Sequence, residues 1–270
     1  MHFKGKTVLI TGASRGIGQA IAVELGKQGA QIIVAAKTAE PHPKLEGTIH
    51  SAAEAIEKAG GKALAVTMDV RSEESIKSAL EKGVDTFGGI DILINNASAI
   101  MLSDTENTAS KHFDLMHQVN VRGTWLCSKL CLPYLKKSGS GQILNMSPPL
   151  SMDAKWFANH GAYTMAKYGM SMCVLGMAEE FKKEGVRINA LWPQTAIATA
   201  AVKFMPQGEM IMKGSRTPSI MAKAALAVLQ GQETGQFYID EAVLRDQGEE
   251  DFEQYAFAPG NPLIKDLYLD

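Results

Sequence analysis

The sequence predicts an α/β protein in which a doubly wound parallel sheet carries helices on both of its faces. Two observations support this fold class. Short apolar runs of strand length recur along the chain, and stretches with helical periodicity separate them. Few of the runs alternate apolar with polar residues, which is typical of strands that are buried on both faces.

Seven runs rich in Val, Ile or Leu are predicted to be strands. They are Thr7–Ile10, Ile32–Ala36, Ala63–Met68, Ile90–Ile94, Gln142–Met146, Arg187–Leu191 and Gln236–Ile239. The helical patterns between them cover Gly16–Gln28, Ser110–Lys137 and Tyr163–Glu184. Loops are expected over Ala39–Gly47, Pro148–Gly161 and Phe204–Thr217.

The 270 residues are expected to form one domain, 1–270, with 241–270 as a tail packed on it, because the alternation ends near Asp240. Lys and Arg number 27 and Asp and Glu number 29, so the net charge of −2 argues against a nucleic-acid partner. No run approaches the roughly 18 apolar residues of a membrane span. Three cysteines favour a reducing compartment, here the cytoplasm. The scattered histidines lack metal-ligand spacing, so no metal site is expected.

A glycine-rich turn follows the first predicted strand and opens the first predicted helix. It reads Thr11-Gly12-Ala13-Ser14-Arg15-Gly16-Ile17-Gly18. Glycines let the backbone approach a diphosphate closely, and the N-terminus of the helix offers free N–H groups. The spacing departs from the usual dinucleotide pattern, and a turn that merely needs small residues is the alternative. The flanking strand and helix favour a dinucleotide site.

The second predicted strand bears on the choice of cofactor. An NAD site would place a carboxylate near its end, about 20 residues after the glycine turn. Here the strand ends Ala35-Ala36-Lys37-Thr38, without a carboxylate. Lys37 would attract a 2′-phosphate, and Arg15 adds a second cation on the same side. NADP is therefore predicted and NAD is the alternative, although an isolated lysine at a strand end is commonly just solvated.

Tyr163 and Lys167 stand four residues apart in a predicted helix, so they share one face. A nearby ammonium, together with a positively charged oxidised nicotinamide, would lower the pKa of the phenol. Such a pair suits proton transfer at an oxygen while hydride moves on carbon. The spacing alone is common by chance, and it gains value from lying downstream of a dinucleotide turn.

Taken together, these residues resemble the short-chain dehydrogenase/reductase family from residue 5 to about 240. The matching motifs are, in chain order, the glycine turn, Asp69-Val70, Asn95-Asn96-Ala97, Asn120, Tyr163-x-x-x-Lys167 and Pro193. The resemblance implies a Rossmann-type, three-layer α/β/α sandwich with a seven-stranded parallel sheet. It also implies a homodimer or homotetramer assembled through the two long helices.

The resemblance also implies roles for individual residues. Tyr163 would be the acid–base, Lys167 and Asn120 would support its proton relay, and Asp69 would hold the adenine amino group. The implied cofactor residues are Gly12, Ala13, Ser14, Arg15, Gly16, Ile17, Gly18, Lys37, Asp69, Val70, Asn96, Ala97, Ser98, Tyr163, Lys167 and Pro193.

The largest departure from the family concerns the catalytic serine. The family's second serine after the fifth strand is replaced by Pro148, which cannot donate a hydrogen bond. Ser147 is the nearest substitute and Ser151 the other candidate. Two smaller departures are Ser98 and Gln194, which stand where the family usually has glycine.

A narrower resemblance is to the hydroxysteroid dehydrogenase-like subgroup. It is carried by Ser147–Leu150, Ala162–Met172, Asn189–Pro193, Phe237–Glu241 and Pro259–Leu263. Some members carry an additional sterol-carrier domain, which this chain is expected to lack. The hypothesis is an NADP-dependent oxidoreductase interconverting an alcohol and its carbonyl compound, with an apolar lipid-, terpenoid- or steroid-like substrate. The alternative, motivated by the Ser-Pro-Pro departure, is an NADP-binding scaffold or sensor with little or no turnover.

Overall fold

The computed structural model describes residues 2–43 and 45–269 and contains one sheet of seven parallel strands in the order β3-β2-β1-β4-β5-β6-β7. The strands are β1 (Thr7–Thr11), β2 (Gln31–Ala36), β3 (Lys62–Thr67), β4 (Ile92–Asn95), β5 (Gln142–Asn145), β6 (Arg187–Trp192) and β7 (Phe237–Ile239). Every predicted strand is present, with ends that differ by one or two residues. The predicted doubly wound sheet is confirmed, and its strand order reverses between β1 and β4.

Ten α-helices connect or follow the strands in the described residues. They are α1 (Gly16–Lys27), α2 (Ile49–Lys58), α3 (Glu73–Phe87), α4 (Ser110–Met116), α5 (Gly123–Ser138), α6 (Gly161–Glu180), α7 (Ala200–Lys203), α8 (Gly208–Lys213), α9 (Ser219–Gln230) and α10 (Asp240–Asp246). A π-helical turn, His117–Arg122, interrupts the helical pattern predicted over Ser110–Lys137. The loop expected over Phe204–Thr217 contains α8.

Two apolar layers flank the sheet, which explains why the strands lack an apolar–polar alternation. Ile10 and Val34 face the layer formed with α1, α2, α9 and α10. Leu9 and Ile33 face the layer formed with α3, α5 and α6. Fully burying each such side chain stabilises the fold by about 1.5–3 kcal/mol.

A third buried cluster lies beyond the carboxyl ends of the strands. It contains Met116, Tyr163, Ala166, Tyr168, Trp192 and Tyr268. The segment after β7 therefore does more than cover the surface. Its Phe252 and Tyr255 enter the layer around α9, and Tyr268 is 3% exposed within the third cluster.

No helix in the described residues is both long and apolar enough to cross a membrane. Nor do three or more His, Cys, Asp or Glu side chains of those residues converge in a way that could hold a metal ion.

Candidate active site

A cavity of about 750 Å³ opens at the carboxyl ends of the first four strands, beside the point where the strand order reverses. Its lining includes Gly12, Ser14, Arg15, Gly16, Ile17, Lys37, Asp69, Val70, Arg71, Asn96, Ala97 and Ser98. Ala13 and Gly18 are buried, while Pro193, Tyr163 and Lys167 do not belong to this lining. The structure thus brings most of the predicted cofactor residues to one surface.

Glycine is required in this turn for two reasons, the backbone conformation and the close packing. Gly12 and Gly16 have φ values of +67° and +58°, in the left-handed region that favours glycine. A Cβ on Gly18 would lie 2.5 Å from Asn96 Nδ2 and 2.8 Å from the Gly12 carbonyl oxygen. The first-turn N–H groups of α1 have no intrahelical acceptors, so they are available to an anion in the cavity.

Thr11 joins the glycine turn to the end of β4. Its Oγ1 accepts hydrogen bonds from the backbone nitrogens of Asn96 and Ala97, at 3.0 and 2.9 Å. The Asn96 amide donates in return to the carbonyl oxygens of Thr11 and Gly12, at 2.9 and 3.1 Å. Sequence reasoning gave Thr11 no such role, because a strand-end threonine has no distinctive local signature.

Three cations and one carboxylate lie at the end of β2. The Arg15 guanidinium donates to two carbonyls of the loop before α2, at 2.9 and 2.7 Å. Lys37 Nζ lies 3.4 Å from an oxygen of Asp69, and Arg71 Nη2 lies 2.7 Å from the same oxygen. The hydrogen bond from Arg71 holds the pKa of Asp69 well below its usual range. Arg71, which was not predicted as a site residue, therefore binds the Asp69 carboxylate, the group expected to hold the adenine amino group.

The four predicted catalytic side chains are all buried. Tyr163 and Lys167 belong to α6, Asn120 to the π-helical turn, and Ser147 follows β5; none is more than 5% exposed. Lys167 Nζ donates to the Met146 carbonyl oxygen at 3.0 Å. This bond ties α6 to the chain immediately before Ser147.

The Asn120 side chain is held by the backbone of Ala99. Its Oδ1 accepts from Ala99 N at 2.8 Å, and its Nδ2 donates to Ala99 O at 3.0 Å. The π-helical turn thus connects the segment after β4 to α6, against which it packs closely: a Cβ on Gly169 would lie 2.6 Å from Val121.

Burial dominates the proton affinities of the Tyr–Lys pair in the protein alone. It raises the pKa of the Tyr163 phenol well above its ordinary value, with Tyr268 and Asp266 adding to the rise. It lowers the pKa of Lys167 to about 8. Desolvation therefore sets the direction of the Tyr163 pKa in the protein alone, and the lowering expected beside an oxidised nicotinamide stays a prediction.

Ser147 and Ser151 differ in what their hydroxyls contact. Ser147 Oγ is buried and has no hydrogen-bond partner within the described part of the chain. Ser151 Oγ accepts from Asp153 N at 3.3 Å in a local turn. An unsatisfied buried hydroxyl costs about 1–3 kcal/mol, which a bound ligand would relieve. The geometry thus favours Ser147 as the group that meets a substrate.

The chain after Pro193 is tied to the C-terminal segment. Gln194 N donates to Asp240 Oδ1 at 2.7 Å, and Gln194 O accepts from Asp266 N at 3.2 Å. The indole nitrogen of Trp192 donates to Leu267 O at 2.9 Å. Gln194, which replaces the family's usual glycine, thus supplies two backbone contacts to residues far along the chain.

A dinucleotide-sized cavity next to a buried Tyr–Lys pair defines an α/β oxidoreductase as the class of protein. Residues 6–209 match the family described as short chain dehydrogenase, and the chain belongs to this family, whose members bind NAD(P). The family resemblance found in the sequence is thereby confirmed.

A curated protein and two crystal structures similar to this chain are named as dehydrogenases or dehydrogenase-like proteins. Hydroxysteroid dehydrogenase-like protein 2 of Xenopus tropicalis is 58% identical over 268 residues, covering 98% of this chain and 64% of that protein. The chain thus spans less than two thirds of this curated relative. A putative dehydrogenase from Xanthomonas campestris has a crystal structure with a TM-score of 0.96, at 49% identity over 99% of both chains. A short chain dehydrogenase from Mycobacterium thermoresistibile has a TM-score of 0.93, at 45% identity over 99% of this chain and 96% of that one.

Proposed function

We propose that the protein is an NADP-dependent oxidoreductase that interconverts an apolar alcohol and its carbonyl compound. The observation that carries the proposal is the buried Ser147 hydroxyl, which has no hydrogen-bond partner among the described residues and directly follows Met146, whose carbonyl oxygen accepts from Lys167 Nζ. Carbonyl reduction needs a group that donates a proton to the oxygen and groups that orient the oxygen and stabilise charge. A phenol, a hydroxyl and an ammonium can fill these roles.

The residues of the large cavity fit a nicotinamide dinucleotide. The glycine turn and the N-terminus of α1 would hold the diphosphate. Arg15, Lys37 and Arg71 outnumber the single carboxylate Asp69, so this end of the cavity carries a net positive charge. That surplus supports NADP over NAD, since a 2′-phosphate adds negative charge there.

When bound, the nicotinamide supplies or takes up the hydride at carbon. In reduction, Tyr163 donates its phenolic proton to the carbonyl oxygen, and Ser147 donates a hydrogen bond to that oxygen. Lys167 stabilises the resulting phenolate, and its pKa of about 8 suits proton return near neutrality. In oxidation the proton moves the opposite way, from the alcohol to Tyr163.

Apolar side chains around Tyr163 support an apolar substrate. Tyr168 and Trp192 share its buried cluster, with Ile100 and Leu150 packed against them. The relatives' printed name, hydroxysteroid dehydrogenase-like protein, is compatible with a steroid- or lipid-like compound. The second candidate, a scaffold or sensor without turnover, is favoured by the 5% exposure of Tyr163.

Substitution of Tyr163→Phe tests the proposal. Consumption of NADPH and of NADH is followed with medium-chain carbonyl compounds, terpenoid carbonyls, steroid ketones and ketoacyl thioesters. We expect turnover to fall by about 10²–10⁴-fold, since general acid–base catalysis contributes that much, while NADPH affinity stays unchanged.

Tyr238→Phe is the matched control, because Tyr238 packs against the layer around α9. Unchanged turnover in Tyr163→Phe would contradict the mechanism. Tight NADPH binding by the unaltered protein, without turnover of any compound, would favour the scaffold.

A homodimer or homotetramer and a cytoplasmic location complete the proposal. Large apolar side chains are exposed on α5 and α6, namely Trp125, Met165, Met172 and Leu175. Burying them between copies of the chain would remove them from water. All three cysteines lie in the described residues and are unpaired, which suits the reducing cytoplasm.

A further inference from the structure

The segment 264–269 returns to the catalytic centre after leaving the core. We propose that Tyr268 in this segment is a specificity-determining residue, which closes the substrate side of the site over Tyr163 and limits the size of substrate accepted. The inference rests on the proposed function, because it concerns the substrate that Tyr163 would meet.

Backbone hydrogen bonds hold the segment in place. They join Ile264 N to Gly214 O at 2.8 Å, Ala196 N to Ile264 O at 2.9 Å, and Asp266 N to Gln194 O at 3.2 Å. Thr195 and Lys265 form an antiparallel bridge. The segment therefore runs beside the chain that leaves β6, so its position is defined by main-chain pairing as well as by side-chain packing.

The Tyr268 ring connects separate elements around the site. Its centroid lies 5.3 Å from that of Tyr168, 5.8 Å from Trp192, 5.9 Å from Trp156 and 6.4 Å from His160. These rings come from α6, from β6 and from the segment between β5 and α6. Aromatic pairs of this kind contribute about 0.5–1.5 kcal/mol each beyond the burial of their area.

Tyr268 also contacts the residue next to Tyr163 in α6. Its hydroxyl is 3.3 Å from Oγ1 of Thr164, the residue that follows Tyr163. Tyr163 and Tyr268 share one buried cluster, and Leu267 and Leu269 pack against it. A reacting oxygen must come within about 2.6–3.2 Å of the Tyr163 hydroxyl. Since Tyr163 is 5% exposed, a substrate must displace or share space with its cover, to which Tyr268 contributes the largest ring of this segment.

A second observation points to a ligand beside Tyr268. Trp156 Nε1 and His160 Nε2 are buried without hydrogen-bond partners among residues 2–43 and 45–269, as Ser147 Oγ is. Both of these rings contact Tyr268. Two unsatisfied polar atoms on rings that contact Tyr268 are costly in the closed state. A substrate that enters there would supply partners for them.

A size series at position 268 tests the proposal. Tyr268→Phe, Tyr268→Ala and Tyr268→Trp are compared by kcat/KM for ketones of increasing bulk, reduced with NADPH. We expect Tyr268→Ala to raise the ratio of kcat/KM for the largest ketone over the smallest by about tenfold, the size of effect that a modest change in pocket volume produces. Tyr268→Trp lowers that ratio and Tyr268→Phe leaves it unchanged. An unaltered ratio in both Tyr268→Ala and Tyr268→Trp overturns the proposal.

Tyr255→Ala is the matched control. Tyr255 is 2% exposed and belongs to the same C-terminal region, but it packs in the layer around α9. It should lower thermal stability without changing the ratio. If Tyr268→Ala does not fold, Tyr268→Leu takes its place, with the same expected direction.

A labelling experiment separates this proposal from the proposed function. If no variant turns over any ketone, the proposed function fails, and iodoacetamide labelling of Ser147→Cys then tests Tyr268 without catalysis. Peptide mass spectrometry distinguishes the introduced thiol from the native cysteines. We expect Tyr268→Ala to speed this labelling about tenfold, which corresponds to about 1.4 kcal/mol of easier opening. Equal labelling rates with and without Tyr268→Ala overturn the proposal, and Tyr255→Ala should leave the rate unchanged.

Discussion

The cofactor cavity and the catalytic cluster, which is the third buried cluster together with Lys167, Asn120 and Ser147, are built in opposite ways. The cavity is open, its lining combines apolar side chains with the charged Arg15, Lys37, Asp69 and Arg71, and the Lys37 side chain is 61% exposed. The catalytic cluster is closed and aromatic, and each of its four predicted catalytic side chains is at most 5% exposed. On the proposed function, a dinucleotide would therefore meet a preformed surface, whereas a substrate would have to open its site.

The two regions also differ in which parts of the chain complete them. The cavity is lined mostly by residues that follow β1 to β4, with contributions from Leu115 of α4, Val119 of the π-helical turn and residues 199–201 and 204 around α7. The catalytic cluster is completed by contacts such as that between Thr164 and Tyr268, which are 104 residues apart. The two regions are thus built mainly from different parts of the chain, so we expect substitutions confined to the cofactor cavity to leave the catalytic cluster intact.

Gly18→Ala should give the largest effect, and it should be confined to the cofactor cavity. The added Cβ would lie 2.5 Å from Asn96 Nδ2 and 2.8 Å from Gly12 O, so the turn must shift. Overpacking of this kind costs about 1–3 kcal/mol, and we expect NADPH affinity to fall about 100-fold. Isothermal titration calorimetry with NADPH measures the change.

The matched control for Gly18→Ala is Gly176→Ala in α6. A Cβ at Gly176 meets nothing within 4 Å in the described structure, so alanine should stabilise the helix by about 0.5–1 kcal/mol. Equal NADPH affinities for the two variants would show that the glycine turn does not shape the cavity.

Lys37→Asp should alter which cofactor is preferred rather than whether one binds. Replacing a cation by a carboxylate at the end of β2 reverses the interaction with a 2′-phosphate. Because Lys37 is 61% exposed, solvent screens the effect, and we expect the ratio of NADPH to NADH affinity to fall about tenfold. Both affinities are measured by fluorescence titration.

Lys62→Asp provides the control for Lys37→Asp. Lys62 begins β3 and is exposed, so it lies at the opposite edge of the parallel sheet. Its substitution should leave the cofactor ratio unchanged. If Lys37→Asp also leaves the ratio unchanged, Lys37 does not recognise the phosphate.

The sequence predicted the cofactor region better than the catalytic one, for a physical reason. Lys37, Asp69 and Asn96 each follow a strand, and the carboxyl ends of parallel strands converge, so local patterns suffice to bring these residues together. The pairing of Asp69 with Arg71 was missed because a two-residue separation does not reveal side-chain direction.

The catalytic region depends on long-range packing that leaves no periodic signature. The rise in the pKa of Tyr163 follows from burial under residues of the C-terminal segment, Tyr268 among them. The π-helical turn at Asn120 interrupts an otherwise regular helical pattern. Neither feature can be inferred from neighbouring residues in the sequence, since both are consequences of tertiary contacts.

Asp266→Asn should have the smallest effect, and it examines whether the closed region carries an electrostatic cost. Burial raises the pKa of Asp266 to about 7, and the charge of Asp240 adds to the rise, while Lys167 opposes it. The folded state therefore binds more protons than the unfolded state between about pH 4 and pH 7, so the free energy of unfolding falls as pH rises through that window. Asparagine removes this cost, and it retains an oxygen that can accept from Leu267 N.

We therefore expect Asp266→Asn to raise the free energy of unfolding at pH 8 by about 1 kcal/mol, because partial solvent access of residue 266 screens the effect, and to leave it unchanged at pH 4. Urea denaturation at the two pH values measures the difference. Asp251→Asn, at an exposed aspartate of the same region whose carboxylate accepts from Glu253 N, should shift both values equally. A gain for Asp266→Asn that is the same at both pH values would mean that the carboxylate near Lys167 is well solvated, and the closed region would then resemble the cofactor cavity more than its burial indicates.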